Sequence, residues 1–120
     1  MALQGVYDVL ALVNYKLYLN DILESIDRIF TYIDKLDYHA FAADRKTFDA
    51  VVRNFEIIGE AARNLPEEIK LSTAEIEWKK IAGLRNLLAH EYFGINKQII
   101  WDIIQNKLLP LKTACNKIIE

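Results

Sequence analysis

Apolar residues recur every three or four positions along four segments of this chain, and that repeat is the strongest constraint on its fold. The spacing matches the turn of an α-helix, so each segment predicts a helix with one buried face. No segment alternates apolar and polar residues in the manner of a strand. We therefore predict an all-α, antiparallel four-helix bundle with one short additional helical turn. The clearest stripe predicts a helix from Tyr15 to about Leu36 through Leu19, Ile22, Ile26, Ile29 and Ile33.

Local signals indicate where the other three predicted helices begin and end. Pro66 ends the second helix, because a proline cannot continue the backbone hydrogen bonding of a helix interior. The third helix begins at a capping box, with Ser72 as N-cap and Glu75 three residues later, and it ends close to residue 90. Asn96 can cap the fourth helix, and Pro110 kinks or breaks that helix.

At 120 residues the chain fits one domain, which we place at residues 15–120. Residues 1–14 form an N-terminal extension that could lengthen the first helix or pack loosely on the bundle. Residues 37–43 are predicted to be a connection, and residues 66–70 the short helical turn. Gly59 lies inside the second helix, where a glycine costs about 1 kcal/mol relative to alanine. We therefore expect a neighbouring helix to approach closely at Gly59.

Charge and residue content argue against several classes of protein. The net charge of −2 does not suit a protein that coats nucleic acid through bulk charge. Cys115 is the only cysteine, so we expect neither a disulfide within the chain nor a thiolate metal cluster. His39 and His90 are too far apart to form the usual ligand cluster, so we predict no metal and no cofactor. Without a signal peptide or an apolar run of about 18 residues, a cytoplasmic protein with no membrane partner is expected.

Residues 83–94 bring an arginine, a histidine and a tyrosine together near the end of the third predicted helix. Arg85 keeps its positive charge, whereas His90 can accept and donate a proton near neutral pH. The segment from Trp78 to Lys97 carries four basic residues against one acidic residue, a net charge of +3. This combination suits chemistry at a phosphate group.

The spacing of Arg85 and His90 poses a geometric problem. Five helical steps of about 100° leave two side chains roughly 140° apart. They can converge only if the helix loosens at His90, or if a second subunit supplies half of the site. The alternative interpretation is a plain surface pair, in which His90 is only a positive charge at a helix C-terminus. His39 falls in the predicted connection and is interpreted as a surface residue.

The segment Arg85-Asn86-Leu87-Leu88-Ala89-His90-Glu91-Tyr92 resembles the Arg-x4-His-x-Tyr motif of HepT-type toxins, which contain a HEPN domain. The resemblance runs from about Tyr15 to the C-terminus. It departs from the family before Trp78, where relatives often carry a proline, and in the first fourteen residues. Other blocks that look like those of the family are Tyr18–Leu23, Ala50–Asn54, Ile58–Ala61, Ile76–Trp78 and Leu109–Leu111.

The resemblance implies a HEPN four-helix bundle that forms a homodimer, with both motifs facing a shared cleft. It also implies a metal-independent endoribonuclease toxin whose catalytic residues are Arg85 and His90. Asn86, next to Arg85 in the chain, is a further candidate for orienting the phosphate or the arginine. The implied partner is a minimal nucleotidyltransferase (MNT) antitoxin. Whether the homodimer and the antitoxin assemble into a larger hetero-oligomer is left open by the resemblance. That antitoxin would silence the toxin by adding AMP to Tyr92.

A second hypothesis is a non-catalytic helical module that docks a nucleotidyltransferase or a nucleotide. The Arg85 and His90 pair favours the nuclease, since a pure adaptor has no physical need for both residues. The RNA substrate, transfer RNA or messenger RNA, cannot be read from this chain, because the sequence contains no base-reading module.

Overall fold

The computed structural model describes residues 2–90 and 96–120, with side chains for residues 14–86, Leu88 and residues 96–120. Within these ranges the chain forms helices and no strand, which confirms the predicted all-α class. No helix in the described part is both long enough and apolar enough to cross a membrane. The helices are α1 (Ala2–Ile33), α2 (Tyr38–Ala43), α3 (Arg45–Asn64), α4 (Glu67–Ser72), α5 (Trp78–His90), α6 (Lys97–Asn106) and α7 (Leu108–Ile119).

Four long elements form the bundle, and α6 and α7 together serve as the fourth. The central element is α3, which packs along both α1 and α5, while α7 also packs against α1. The predicted stripe of α1 is confirmed, because Leu19, Ile22, Ile26 and Ile29 are completely buried. Each such side chain stabilises the fold by about 1.5–3 kcal/mol relative to an exposed one.

The first helix begins earlier and ends sooner than predicted. It spans Ala2–Ile33, or 32 residues, which corresponds to about 48 Å at 1.5 Å per residue. The N-terminal residues are therefore continuous with α1, and the division of the chain at residue 14 stays a prediction. The helix stops short of Leu36 because Lys35 adopts a left-handed backbone with a φ of 65°. The Leu36 N–H then closes the turn on the Ile33 carbonyl at 2.9 Å.

The segment predicted as a connection, residues 37–43, contains the short helix α2, so that prediction was wrong. Asp37 caps the helix, since its carboxylate accepts a hydrogen bond from the Ala40 N–H at 2.8 Å. Phe41 is completely buried and anchors the helix in the core. With α4 in the place predicted for a helical turn, the described residues contain two short helices rather than the one that was predicted.

The predicted capping box at Ser72 and Glu75 is also wrong. Ser72 is the last residue of α4, and its hydroxyl donates to the Ile69 carbonyl at 2.8 Å instead of capping α5. The following turn is held by the indole N–H of Trp78, which donates to the Thr73 hydroxyl at 2.8 Å. Trp78 is buried, and α5 begins at that residue.

The fourth element begins as predicted but breaks three residues before Pro110. Asn96 caps α6 and accepts hydrogen bonds from the N–H groups of Gln98 and Ile99 at 2.8 and 3.3 Å. Pro110 lies in the first turn of α7, where it needs no intrahelical partner for its nitrogen. Its ring would clash with the carbonyl of Asn106, four residues earlier, and α6 ends at that residue.

Trp101, on α6, is only partly buried. Its ring packs against Phe41 and Tyr38, with ring centroids 5.1 and 6.3 Å apart. Trp101 therefore joins α6 to α2 at the edge of the core.

The expected close approach at Gly59 is confirmed, and the neighbouring helix is α5. A β-carbon at position 59 would lie 3.0 Å from the Arg85 backbone nitrogen and 3.1 Å from the Ile81 carbonyl oxygen. Only a residue without a side chain allows the two helix backbones to meet at this distance. Gly59 therefore fixes the position of Arg85 relative to α3.

Candidate functional site

Arg85 borders an open groove between α1, α3 and α5, with a volume of about 380 Å³. Tyr18 of α1 adds an aromatic ring to the lining. We call this feature the Arg85 groove. Its other polar lining residues are Asp21, Arg53, Glu56, Glu60 and Asn64. The groove therefore combines cationic, anionic and aromatic side chains that are accessible from solvent.

Arg85 forms an ion pair with a carboxylate of α3. Its Nε atom lies 2.8 Å from Oε2 of Glu60, and the two side chains are 44% and 46% exposed. The Glu60 Oε2 atom is itself shielded from solvent and accepts no well-aligned hydrogen bond from the described residues. The contact is thus mainly one of charge, and an ion pair this exposed stabilises the fold by at most about 1 kcal/mol.

Arg53, the other arginine of the groove, is paired within its own helix. Its Nη1 atom lies 3.4 Å from Oε2 of Glu56, one turn further along α3. The Arg53 side chain is 70% exposed, whereas Glu56 is 28% exposed. The groove therefore presents two guanidinium groups, each beside a glutamate.

Asn86 is exposed and contacts the predicted catalytic arginine. Its Oδ1 atom accepts a long hydrogen bond of 3.4 Å from Nη1 of Arg85. Asn86 is the residue predicted to orient the phosphate or the arginine. A contact with the arginine exists, and the functional role stays a prediction.

The other two predicted site residues lie wholly or partly outside the described structure. The backbone of α5 is helical through His90, but the side chain of His90 is outside the described residues. Tyr92 is outside them entirely. The predicted pairing of Arg85 with His90, and the position of Tyr92, therefore stay predictions.

Two further residues examined in the sequence take no part in the groove. His39 is exposed on α2, where its ring packs edge-on against Tyr38 at 5.9 Å, as a surface residue should. Cys115 is completely buried in the core, and burial raises the pKa of its thiol to about 12. At neutral pH the thiol is protonated, so Cys115 is no nucleophile.

Sequence reasoning assigned no role to Glu60, Arg53 or Asp21, although all three line the Arg85 groove. The sequence signal nearest to them was Gly59, which predicted a close helix contact but not its partner. Glu60 follows Gly59 directly in the chain, and its side chain contacts the same neighbouring helix, α5. The protein is thus an all-α bundle with a polar groove, in which Arg85 is paired with Glu60 but remains accessible to solvent.

Comparison with known proteins places the chain in a family. The family model described as "Ribonuclease HepT-like" matches residues 22–118. A candidate RNase of Methanocaldococcus jannaschii is 45% identical over 91 residues, covering 76% of this chain and 75% of that protein. The probable ribonuclease HepT of Thermococcus cleftensis is 36% identical over 105 residues, covering 88% and 96%. No solved structure matches the chain.

This chain belongs to the HepT-like ribonuclease family. The family match agrees with the resemblance found in the Arg85 segment and in the blocks around it. It covers all of α3 to α6, and with them the whole lining of the Arg85 groove except Tyr18 and Asp21.

Proposed function

We propose that this protein is a metal-independent endoribonuclease and the toxin of a toxin–antitoxin pair. The observation that carries the proposal is the guanidinium of Arg85, held by Glu60 at the edge of an open groove. A guanidinium presents donors in a planar fork that matches the oxygens of a phosphate. Membership of a ribonuclease family makes RNA the natural source of that phosphate.

The proposed reaction needs no metal, because RNA carries its own nucleophile. The 2′-oxygen attacks the adjacent phosphorus while the bond from phosphorus to the 5′-oxygen breaks. The proton of the 2′-hydroxyl goes to a base, and an acid supplies a proton to the leaving 5′-oxygen. The products are a 2′,3′-cyclic phosphate and a 5′-hydroxyl, with no other reactant consumed.

Arg85 and His90 divide this chemistry between them. His90 transfers the protons, a role that is worth about 10²–10⁴-fold in rate for a positioned acid or base. Arg85 binds the scissile phosphate and offsets the charge that develops on its oxygens. Asn86 supports Arg85 through the contact between its amide oxygen and Nη1.

The proposed active form is a homodimer in which two copies of His90 share one cleft. One copy would act as base and the other as acid. Support comes from α5, whose backbone stays helical through His90. A helix that continues up to His90 favours a second subunit as the route by which Arg85 and His90 converge.

The proposed regulation is AMP addition at Tyr92 by an MNT-type nucleotidyltransferase antitoxin. A bulky phosphate near Arg85 and His90 would block RNA through repulsion and occlusion. The test is mass spectrometry of Tyr92 peptides after co-expression with the partner nucleotidyltransferase. Unmodified Tyr92 in fully neutralised protein would reject this part of the proposal.

The nuclease itself is tested by RNA cleavage in the presence of a chelator. We expect cleavage by the wild type, and losses of at least about 10²-fold in Arg85→Ala and His90→Ala. His39→Ala is the matched control, because His39 is an exposed histidine outside the groove. Equal activity of wild type and His90→Ala would reject the catalytic role. Loss of wild-type activity to the chelator would reject metal independence.

A further inference from the structure

Glu60 is the carboxylate that pairs with Arg85 in the described part of the chain, and it follows Gly59 directly in α3. Gly59 brings the backbone of α5 against α3 at Arg85 itself. Two consecutive residues of α3 therefore act on the same arginine. Gly59 sets the position of its backbone, and Glu60 sets the position of its head group.

The atoms in contact decide which edge of the guanidinium remains available. The Oε2 atom of Glu60 lies 2.8 Å from Nε, which is the guanidinium nitrogen nearest the Arg85 backbone. The outer Nη1 atom has only the long 3.4 Å contact to Asn86 within the described residues. The end of the fork, formed by Nη1 and Nη2, is the edge that can bind two oxygens of one phosphate. The ion pair therefore holds the arginine without occupying its outer edge.

We propose that Glu60 is a positioning residue for the ribonuclease reaction. Its carboxylate holds the Arg85 side chain so that the outer guanidinium edge meets the scissile phosphate, and Glu60 acts on the substrate only through Arg85. This inference rests on the proposed function, because it requires Arg85 to act at the phosphate. Without Glu60, a side chain that is 44% exposed would sample other rotamers and bring its charge to the phosphate only part of the time.

Simple electrostatics predicts the opposite effect, which makes the proposal easy to test. Removing a carboxylate beside an RNA site should strengthen RNA binding, because it lessens repulsion of the phosphates. Glu56 provides the matched control, since it lines the same groove and pairs with Arg53 rather than Arg85. Glu60→Gln and Glu56→Gln change the charge of the groove equally. Any difference in activity between the two variants therefore reflects which arginine each glutamate contacts.

The experiment measures kcat and KM for RNA cleavage by the wild type, Glu60→Gln and Glu56→Gln. We expect Glu60→Gln to lower kcat by about fivefold with little change in KM, because without this exposed ion pair the catalytic arginine occupies its productive position only part of the time. Glu56→Gln should stay within about twofold of the wild type, because Glu56 pairs with Arg53 rather than with the catalytic arginine. In an Arg85→Ala background, Glu60→Gln should cause no further loss.

Three results would overturn the positioning role. The first is a Glu60→Gln variant as active as the wild type, and the second is a more active one, which would make the ion pair an inhibitory contact. The third is an equal loss on Glu60→Gln with and without Arg85. A wild type that cuts no RNA would instead reject the ribonuclease proposal, and the positioning role with it. Urea unfolding of Glu60→Gln checks that the variant is folded, as expected for a half-exposed side chain.

Discussion

At the scale of single residues, two glycines separate the effect of packing from that of helix propensity. A β-carbon added at Gly59 would lie 3.0 Å from the Arg85 backbone nitrogen in α5, whereas a β-carbon at Gly83 would have nothing in the described part of the chain within 4 Å. Gly83→Ala should therefore stabilise the fold by about 0.5–1 kcal/mol through propensity alone. Gly59→Ala should destabilise it by about 1–3 kcal/mol, because the added carbon forces α3 and α5 apart.

Urea unfolding of both glycine variants measures these changes in the free energy of unfolding. The sign of the change, opposite at the two positions, is the result that matters. If Gly59→Ala were as stabilising as Gly83→Ala, the close contact of α3 with Arg85 would be wrong. A displaced Arg85 should also lower RNA cleavage in Gly59→Ala, while Gly83→Ala leaves α5 in place.

Arg85 itself allows a sharper test than its removal. Arg85→Lys keeps the positive charge but replaces a planar fork of donors with a compact ammonium group. We expect kcat/KM for RNA cleavage to fall by about 10²-fold, as on loss of a transition-state donor. Arg53→Lys in the same groove is the control and should change activity little. Wild-type cleavage by Arg85→Lys would mean that charge alone suffices and that the orientation of the guanidinium is unimportant.

At the scale of secondary structure, Asp44 joins two helices. Its backbone N–H donates to the Phe41 carbonyl at the end of α2, at 3.3 Å. Its carboxylate caps α3 by accepting from the Thr47 N–H at 3.1 Å and from the Thr47 hydroxyl at 2.7 Å. The hydrogen bond from the Thr47 side chain, followed by that from its backbone, lowers the pKa of Asp44.

This lowered pKa predicts how stability depends on pH. The folded state favours the charged carboxylate, so Asp44 stabilises the fold above its unfolded pKa of about 3.9. That contribution is lost as the pH falls through the lower pKa of the folded state. Asp44→Asn keeps an acceptor but does not titrate, so it should lose less stability than the wild type between about pH 5 and pH 2. If the free energy of unfolding of the two proteins changed equally with pH in this range, the charged Asp44 carboxylate would not be the cap of α3.

The long helices could be predicted from the sequence because a buried helix face requires apolar residues at every third or fourth position of one continuous segment. The short elements could not, because distant contacts decide them. A six-residue helix such as α2 shows no stripe, and it forms where Phe41 can reach the core. Ser72 and Glu75 match a capping box, but the indole of Trp78 binds Thr73 and delays the start of α5.

The candidate site divides in the same way. The segment of residues 83–94 could be recognised because its chemistry is local in the chain. Glu60 could not be assigned to Arg85, because their contact depends on how α3 packs against α5. Gly59 predicted that a neighbouring helix lies close to this part of α3, but it did not identify that helix as α5.

At the scale of the whole molecule, the proposed ribonuclease activity meets two difficulties in a single chain. The chain has a net charge of −2, and both arginines of the Arg85 groove already have glutamate partners. Five helical steps also separate Arg85 from His90, on a helix that stays regular between them. A two-fold dimer would address the second difficulty, since symmetry places two copies of the same segment around one cleft.

Shared histidines make a quantitative prediction for mixed dimers. If one His90 acts as base and the other as acid, a dimer with one wild-type and one His90→Ala chain should be almost inactive. Co-expression of the two chains in equal amounts should then leave about one quarter of the activity of the wild type at the same total concentration, since only a quarter of random dimers carry two histidines. Independent sites would leave one half. Varying the ratio of the two chains distinguishes a shared cleft from separate sites. For a shared cleft, activity is proportional to the square of the fraction of wild-type chains. For separate sites, activity is proportional to that fraction. A linear dependence would reject the shared cleft while leaving Arg85 and Glu60 as parts of a site within each chain.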